Sequence, residues 1–341
     1  MRVVIIGGTG FVGGPVTRLL STRGHDVLTV QRHLSSALPQ SVAQLKSDQL
    51  ELSRIASQLR AFRPDVVIDF VSSSASQAQS TVGVFAGHAG RLVAISSQDV
   101  YKAFGIFFGS EEGSLQPVPI TEESPRRARR QTYPPELLAR LKSMMGWVTD
   151  DYNNVEMEDV VMNVAALPAT VLRLPMVYGP GDYLHRLYPI LKRIRDGREV
   201  IPVADGVAQW RCARGFVSDV ASAIALAAEK PEAAGKVFNV AEEQSFSEQE
   251  WTELVARGAG WKGEVVTIPF EKAPAHLRVP GNVAQHASCS SRRIREELGY
   301  REPTSRQDAL RETIAWERAN PPSPEPQFDY AVEDAALEAL S

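Results

Sequence analysis

Apolar and polar positions along this chain fall into two rhythms that alternate. Short uninterrupted apolar runs occur in RVVIIGG (residues 2–8), HDVLTVQ (25–31), PDVVIDFV (64–71), GRLVAISS (90–97), ATVLRLP (169–175) and KVFNVAEE (236–243). Runs of this length that are apolar on both faces predict strands buried within a sheet. Between them lie segments with helical spacing, at 11–24, 53–62, 155–168, 184–197 and 216–230. Strand and helix in alternation predict βαβ units, hence an α/β fold with a Rossmann-type, doubly wound parallel sheet.

The rhythm breaks after Tyr101. Residues 102–150 are rich in glycine, proline and charge and predict one helical piece, ELLARLKSMMGWV (136–148). Residues 241–320 mix helices and short strands in the manner of a smaller lobe. The expected organisation is a dinucleotide-binding domain of residues 1–178 plus 216–241, a substrate-binding lobe of 179–215 plus 242–320, and a tail of 321–341 that runs from a proline-rich linker into a short acidic helix.

Composition narrows the function classes. The chain has 341 residues, 43% hydrophobic and 23% charged, with a formal net charge of −4, the balance of an ordinary globular protein. That charge gives no general attraction to nucleic acid or to an anionic membrane. The apolar run of the N-terminus, Val3 to Ile6, is too short for a signal-peptide core or a membrane span. Cys212 and Cys289 are the two cysteines and stand far apart, as expected of a reducing compartment, and the histidines show no metal-ligand spacing. A cytoplasmic protein that handles a small molecule is expected, without a metal.

The most informative chemistry is GGTGFVGG (7–14), between the first strand and the first helix. Gly7, Gly10 and Gly13 have the spacing that permits a tight turn, close backbone approach to a pyrophosphate and close packing of helix on strand. The helix N-terminus then faces the phosphates. Gly7, Thr9, Gly10, Phe11, Val12 and Gly13 are therefore candidate cofactor residues. An NAD site usually places an acid after the second strand, where this chain reads Gln31, Arg32 and His33. A guanidinium suits a 2′-phosphate, so Arg32 favours NADP over NAD. Asp48 is either a partner of the adenine amino group or an exposed turn residue.

With these features in order, the chain resembles the extended short-chain dehydrogenase/reductase family, also called the NAD-dependent epimerase/dehydratase family. GGTGFVG is similar to its TGxxGxxG turn, LVAISSQDVY to its SSxxVY segment, TVLRLPMVYGPGD to its RxxxVYGP stretch, and RGFVSDVASAIALA to its FVHVDDVA helix. The likeness spans roughly residues 1–245. It implies hydride transfer at a carbinol or carbonyl carbon, as in oxidoreductases, epimerases and dehydratases, on a small polar and possibly sugar-like substrate. A tyrosine would act as acid or base, a serine would orient the substrate oxygen, and a lysine four residues after the tyrosine would lower its pKa.

Carried over residue by residue, the resemblance implies Ser97 and Tyr152 as catalytic residues, with residues 102–150 inserted between them; Tyr133, in QTYPPE, is a rival for the tyrosine, but prolines follow it. It implies Val71, Ser72, Ser96, Pro175 and Val177 beside the cofactor, and Tyr101, Tyr178, His185 and Arg211 toward the substrate. Glu156 stands at the expected lysine position, and Asn154 is the nearest ribose-binding alternative. A carboxylate close to the phenol would raise its pKa. Glu158 and Asp219 are expected to be structural. The arginines of PRRARRQ (125–131) are expected to form a solvated basic loop, or else to meet an anionic substrate. Val155, Val160, Val164 and Leu167 form an apolar face that serves either a homodimer or the chain's own core. Two functions stay open: the enzyme, and an NADP-binding sensor or scaffold without catalysis, which the missing lysine favours.

Overall fold

The computed structural model describes residues 1–130, 133–279 and 281–340. Its centre is a parallel sheet of seven strands: β1 (Arg2–Ile6), β2 (Asp26–Gln31), β3 (Ala43–Lys46), β4 (Val66–Asp69), β5 (Arg91–Ser97), β6 (Ala169–Leu174) and, later in the chain, Val237–Asn239. The last is β10, after β7 (Met176–Tyr178), β8 (Val200–Ala204) and β9 (Arg214–Phe216). Spatial order is β10-β6-β5-β4-β1-β2-β3, with β7 paired to β9 and β8 to β11 (Glu264–Ile268) in two small sheets. Strand order reverses between β1 and β4, so a crevice forms beyond their carboxyl ends, where open α/β sheets bind ligands.

Alternate residues of each strand supply the two faces of the sheet. Val3, Ile5, Val27, Ile68, Val93 and Leu172 enter one buried cluster. Val4, Ile6, Leu28, Val67, Ala94 and Val171 enter the other. The first is covered by helices α1 (Gly13–Thr22) and α8 (Val217–Glu229), through Val16, Leu20, Val220 and Ile224. The second is covered by α2 (Ala56–Ala61), α3 (Ala75–Phe85) and α6 (Asn154–Met162), through Leu59, Phe85, Met157 and Val161. The other helices are α4 (Lys102–Phe108), α5 (Pro135–Met144), α7 (Tyr188–Arg195), α9 (Glu248–Gly258), α10 (Arg292–Leu298), α11 (Arg306–Ala319) and α12 (Tyr330–Glu338).

Three elements go beyond the sequence pattern. β3 lies at the sheet edge and has no buried residue, so it lacks an apolar run. α3 follows a serine triplet, is capped by Ser74 and is rich in serine and glutamine, which hides its stripe of Ala78, Val84 and Phe85. α4 opens the stretch 102–150, where one helix was predicted. The apolar face of Val155, Val160, Val164 and Leu167 packs inside this chain, Val155 under Tyr101 and the others on the second cluster.

Candidate functional site

The crevice begins at the glycine turn. Gly7 takes φ +83°, a left-handed conformation that favours glycine, and its amide donates to Val30 (2.9 Å). A Cβ at Gly13 would lie 2.2 Å from the Gly7 carbonyl oxygen, so no larger residue fits while the helix sits this close. No side chain caps α1 and no acid occupies its first turn. Its N-terminus is therefore open to an anion. Thr9 and Gly10 are exposed at the turn, Val12 is half-buried, and Phe11 packs edge-on against Tyr183.

At the end of β2, Gln31 is buried and its Oε1 has no partner among the described residues, an acceptor that a ribose hydroxyl would satisfy. Arg32 is exposed and donates to the Gly146 carbonyl (3.0 Å), a neutral group it can exchange for a phosphate. Asp48 accepts from Leu50 N (3.0 Å) and caps the following turn. The loop after β4 is shaped by Asp69, which is 1% exposed. Asp69 accepts from the amides of Val71 and Ser72 (2.9 and 3.0 Å) and from the hydroxyls of Ser72 and Thr81 (2.6 and 2.5 Å). Val71 is thereby held against Gly7, where its Cγ2 would lie 2.8 Å from an added Cβ. The glycine cradle, the bare helix end, the unsatisfied Gln31 and Arg32 together fit a dinucleotide.

Beyond β5 lies a cluster centred on Asp99, which is 1% exposed. Tyr152 and Tyr133 both donate their hydroxyls to its Oδ2, at 2.5 and 2.8 Å. Asn154 donates to its Oδ1 (3.2 Å) and also to the Tyr152 oxygen (2.9 Å). The Ser97 hydroxyl accepts from the Asp99 amide (3.2 Å), and so tops the strand beside the cluster. Burial first, then the Asp99 charge, pushes the Tyr152 phenol well above the ordinary tyrosine range. Tyr133 moves the same way for the same reasons.

Tyr152 stands before α6 rather than on it, because Asn153 is the N-cap and accepts from Val155 N. This offset aims Asn154 at the phenol. It also turns Glu156 outward, into a two-bond pair with Arg130 at 2.9 and 3.0 Å. The carboxylate beside the phenol is thus Asp99 and not Glu156.

Several expected residues hold other posts. Ser96 donates to Glu158 (2.7 Å), which pairs through both oxygens with buried Arg173 (2.9 and 2.7 Å). Ser96 is spent inside the protein, whereas Glu158 is structural, as expected. Tyr101 is fully buried; its hydroxyl donates to Asn239 (2.7 Å) and accepts from Arg173 (2.9 Å), so it meets no substrate. Tyr178 is 1% exposed and donates to Glu242 (2.8 Å). Val177 belongs to the first core cluster, and Pro175 lies half-buried against Gly215. His185 is stacked on Trp316 and bonded to Glu317 (2.7 Å). Arg211 clamps the start of α9 through Glu250 (2.8 and 3.2 Å). Asp219 reaches across to Thr304 N (3.1 Å) and joins α8 to the loop before α11.

The expected basic loop keeps Arg126, Arg129 and Arg130 exposed, and Arg127 alone departs from it. Arg127 is buried and donates to the Asp99 carbonyl (3.1 Å) and to Asn153 Oδ1 (2.9 Å). Arg126 pairs with Asp159 (2.9 Å) and Arg130 with Glu156; Gln131, at the end of the block, lies outside the described residues. Sequence reasoning missed Asp99, Arg127 and Asp69. Asp99 had a signal in SSQDVY, two residues from Ser97, but its partners come from a distant segment.

Two curated relatives are reductases. The chain is 24% identical over 282 residues to 2′-dehydrokanamycin reductase of Streptomyces kanamyceticus, covering 81% of this chain and 72% of the relative. It is 26% identical over 315 residues to 3-diazoavenalumate denitrifying reductase of a Streptomyces species, covering 88% and 96%. Among solved structures, dTDP-glucose 4,6-dehydratase of Bacillus anthracis, in complex with NAD, shares the fold with a TM-score of 0.67 at 16% identity, over 95% of this chain and 99% of that one. UDP-glucose 4-epimerase of Thermotoga maritima, with UDP-glucose, superposes with a TM-score of 0.65 at 19% identity, over 94% and 99%. Residues 3–241 match the family model of the NAD dependent epimerase/dehydratase family, and the chain belongs to that family.

Proposed function

We propose that this protein is an NADPH-dependent reductase of a carbonyl compound. The observation that carries the reading is the bond from the Tyr152 phenol to the Asp99 carboxylate at 2.5 Å, with no cation in the lysine's place. A phenol held well above its ordinary pKa is a poor base but keeps its proton, and the reductive direction requires the protonated form. Oxidation, with which an epimerase or dehydratase cycle begins, needs the opposite.

The bound cofactor supplies hydride to the carbonyl carbon. Arg32 and the open end of α1 hold its phosphates, and the Asp69-braced loop of Val71 and Ser72 lines its cleft. Ser97 orients the carbonyl oxygen. Tyr152 releases its proton to that oxygen, turning from Asp99 as the oxygen gains charge, and Asn154 continues to donate to the phenolate. Arg127, bonded to the Asp99 carbonyl and to Asn153, stands in for the missing lysine at longer range.

A second reading is favoured by the same cluster, since the Tyr152 hydroxyl is already engaged by Asp99 and Asn154. It is a cofactor-binding protein without turnover. Fluorescence titration with NADPH and NADH, followed by NADPH consumption across a panel of aldehydes and ketones, separates the two. Consumption that Tyr152→Phe abolishes supports the reductase, and tight binding with no consumption transfers the case to the silent protein. NADH bound more tightly than NADPH would remove the role given to Arg32.

A further inference from the structure

A cleft of about 850 Å³ opens against the Tyr133 and Tyr152 rings, within the segment 102–150 that separates the two catalytic positions. Its other wall is α5, through Pro135, Leu138 and Ala139. α5 is unusual here: none of its residues is buried, and Leu138 and Leu141 are only partly covered. An amphipathic helix with its apolar positions left over a cleft lacks the surface that would complete it.

Each charged group of the cleft has a partner within the protein. Arg130 holds Glu156, Lys142 holds Asp150, and Asp151 accepts from the Ser76 hydroxyl (2.7 Å). What the walls offer is ring and aliphatic surface. A substrate rich in hydroxyl groups would lose water there and find few partners, whereas an apolar body would bury the half-exposed Leu138 and the tyrosine faces.

A second cleft, of about 440 Å³, lies between β7, α7 and β8 and has several basic residues in its lining. Each of them already holds a carboxylate. Arg186 is bonded to Asp182 (2.6 Å) and Arg214 to Glu248, while Arg193 and His276 share Glu333 (2.5 and 2.7 Å). Glu333 is fully buried, and Phe328, from the same C-terminal tail, covers the Arg193 guanidinium at 4.1 Å. A diphosphate entering this cleft would have to displace those carboxylates one by one. The tail has thus taken two of the cations that an anionic carrier group would use, Arg193 and His276, and Asp182 and Glu248 hold the others.

We propose that the substrate is an uncharged aryl or alkyl ketone or aldehyde seated under α5, and that this protein does not take a nucleotide-linked sugar. The assignment rests on the reductase reading for the reacting group, and on the two clefts for the class of molecule that carries it.

Isothermal titration of the enzyme–NADP⁺ complex tests it without turnover. 4-Phenylbutan-2-one is expected to bind, and Leu138→Glu, at a partly exposed helix position, is expected to weaken it at least tenfold while NADPH affinity stays within twofold of the parent. UDP and UDP-glucose are expected to give no heat. Binding of UDP-glucose more tightly than the ketone, or ketone affinity indifferent to Leu138→Glu, overturns the proposal. A ketone that binds in this way but is never reduced leaves the cleft assignment standing and sinks the reductase reading instead.

Discussion

At the scale of single residues, the question is what Tyr152 can do without a lysine beside it. The sequence directs suspicion to Glu156, four residues on. The structure moves the carboxylate to Asp99 and gives Glu156 to Arg130 at the surface. Glu156→Gln should therefore leave the reduction rate within about twofold, because it removes an exposed ion pair of small worth. Tyr152→Phe should lower kcat by roughly a hundredfold or more, the usual contribution of a positioned acid; initial rates of NADPH consumption compare the two variants. The pH profile follows from the direction of the shift. The proton-giving form of a phenol exists below its pKa, and that pKa lies well above the ordinary value through burial first and the Asp99 charge second. The rate should thus be free of a phenol-dependent fall through neutral pH and decline only in strong alkali. Asp99→Asn removes the second cause, so its alkaline limb should move to lower pH. A limb that stays in place in this variant would detach Tyr152 from Asp99.

At the scale of elements, what was legible depended on how local the signal is. The βα turn was legible because its constraint is local: Gly7 needs a left-handed φ, and Gly13 has the Gly7 carbonyl where a side chain would go. Five of the seven sheet strands read clearly as apolar runs, as did the short β10, while edge strand β3 escaped for want of a buried side. The candidate site was half legible. Ser97 and Tyr152 follow from order along the chain, with Tyr133 as a rival, but Asp99 and Arg127 acquire meaning only when a loop folds back over β5, which no periodicity records. Tyr101, Tyr178 and Ser96 misled for a related reason, since a polar side chain in a familiar place can equally be a buried hydrogen-bond donor. The turn supplies the prediction proper to this scale. Gly13→Ala would force helix and strand apart against a backbone atom that cannot rotate away, at a cost of about 1–3 kcal/mol. NADPH affinity, read by fluorescence titration, should fall by roughly tenfold or more, with a matching loss in urea midpoint. Gly24→Ala, at a left-handed position with nothing within 4 Å of an added Cβ, should destabilise the fold without touching NADPH affinity in the folded fraction.

At the scale of the whole molecule, the C-terminal tail is the element whose role composition obscured. In the sequence, the proline-rich linker and the acidic helix have no stated partner, and the structure fastens both along α7 and the turn after it. Glu325 meets Tyr188 and Arg195, Tyr330 donates to Asp196 (2.6 Å), and Asp334 meets Arg198. The exposed pairs among these contribute little singly. Glu333 differs, because it and Arg193 are both withdrawn from water, with side chains 0% and 6% exposed. Breaking such a pair leaves a buried charge uncompensated and costs about 3–5 kcal/mol. Glu333→Gln, which keeps the shape and removes the charge, should therefore lower Tm by roughly 5–10 °C. Cofactor binding in the crevice beyond β1 and β4 should be unchanged at temperatures where the variant is folded. Thermal unfolding followed by circular dichroism, with and without NADPH, measures both. Removal of residues 321–341 should cost at least as much stability, and it frees Arg193 and His276 within the second cleft. The shortened protein should then bind inorganic phosphate or UDP where the intact chain does not. If it binds neither, the cations are not what denies that cleft to a nucleotide, and the shape of the cleft itself must be.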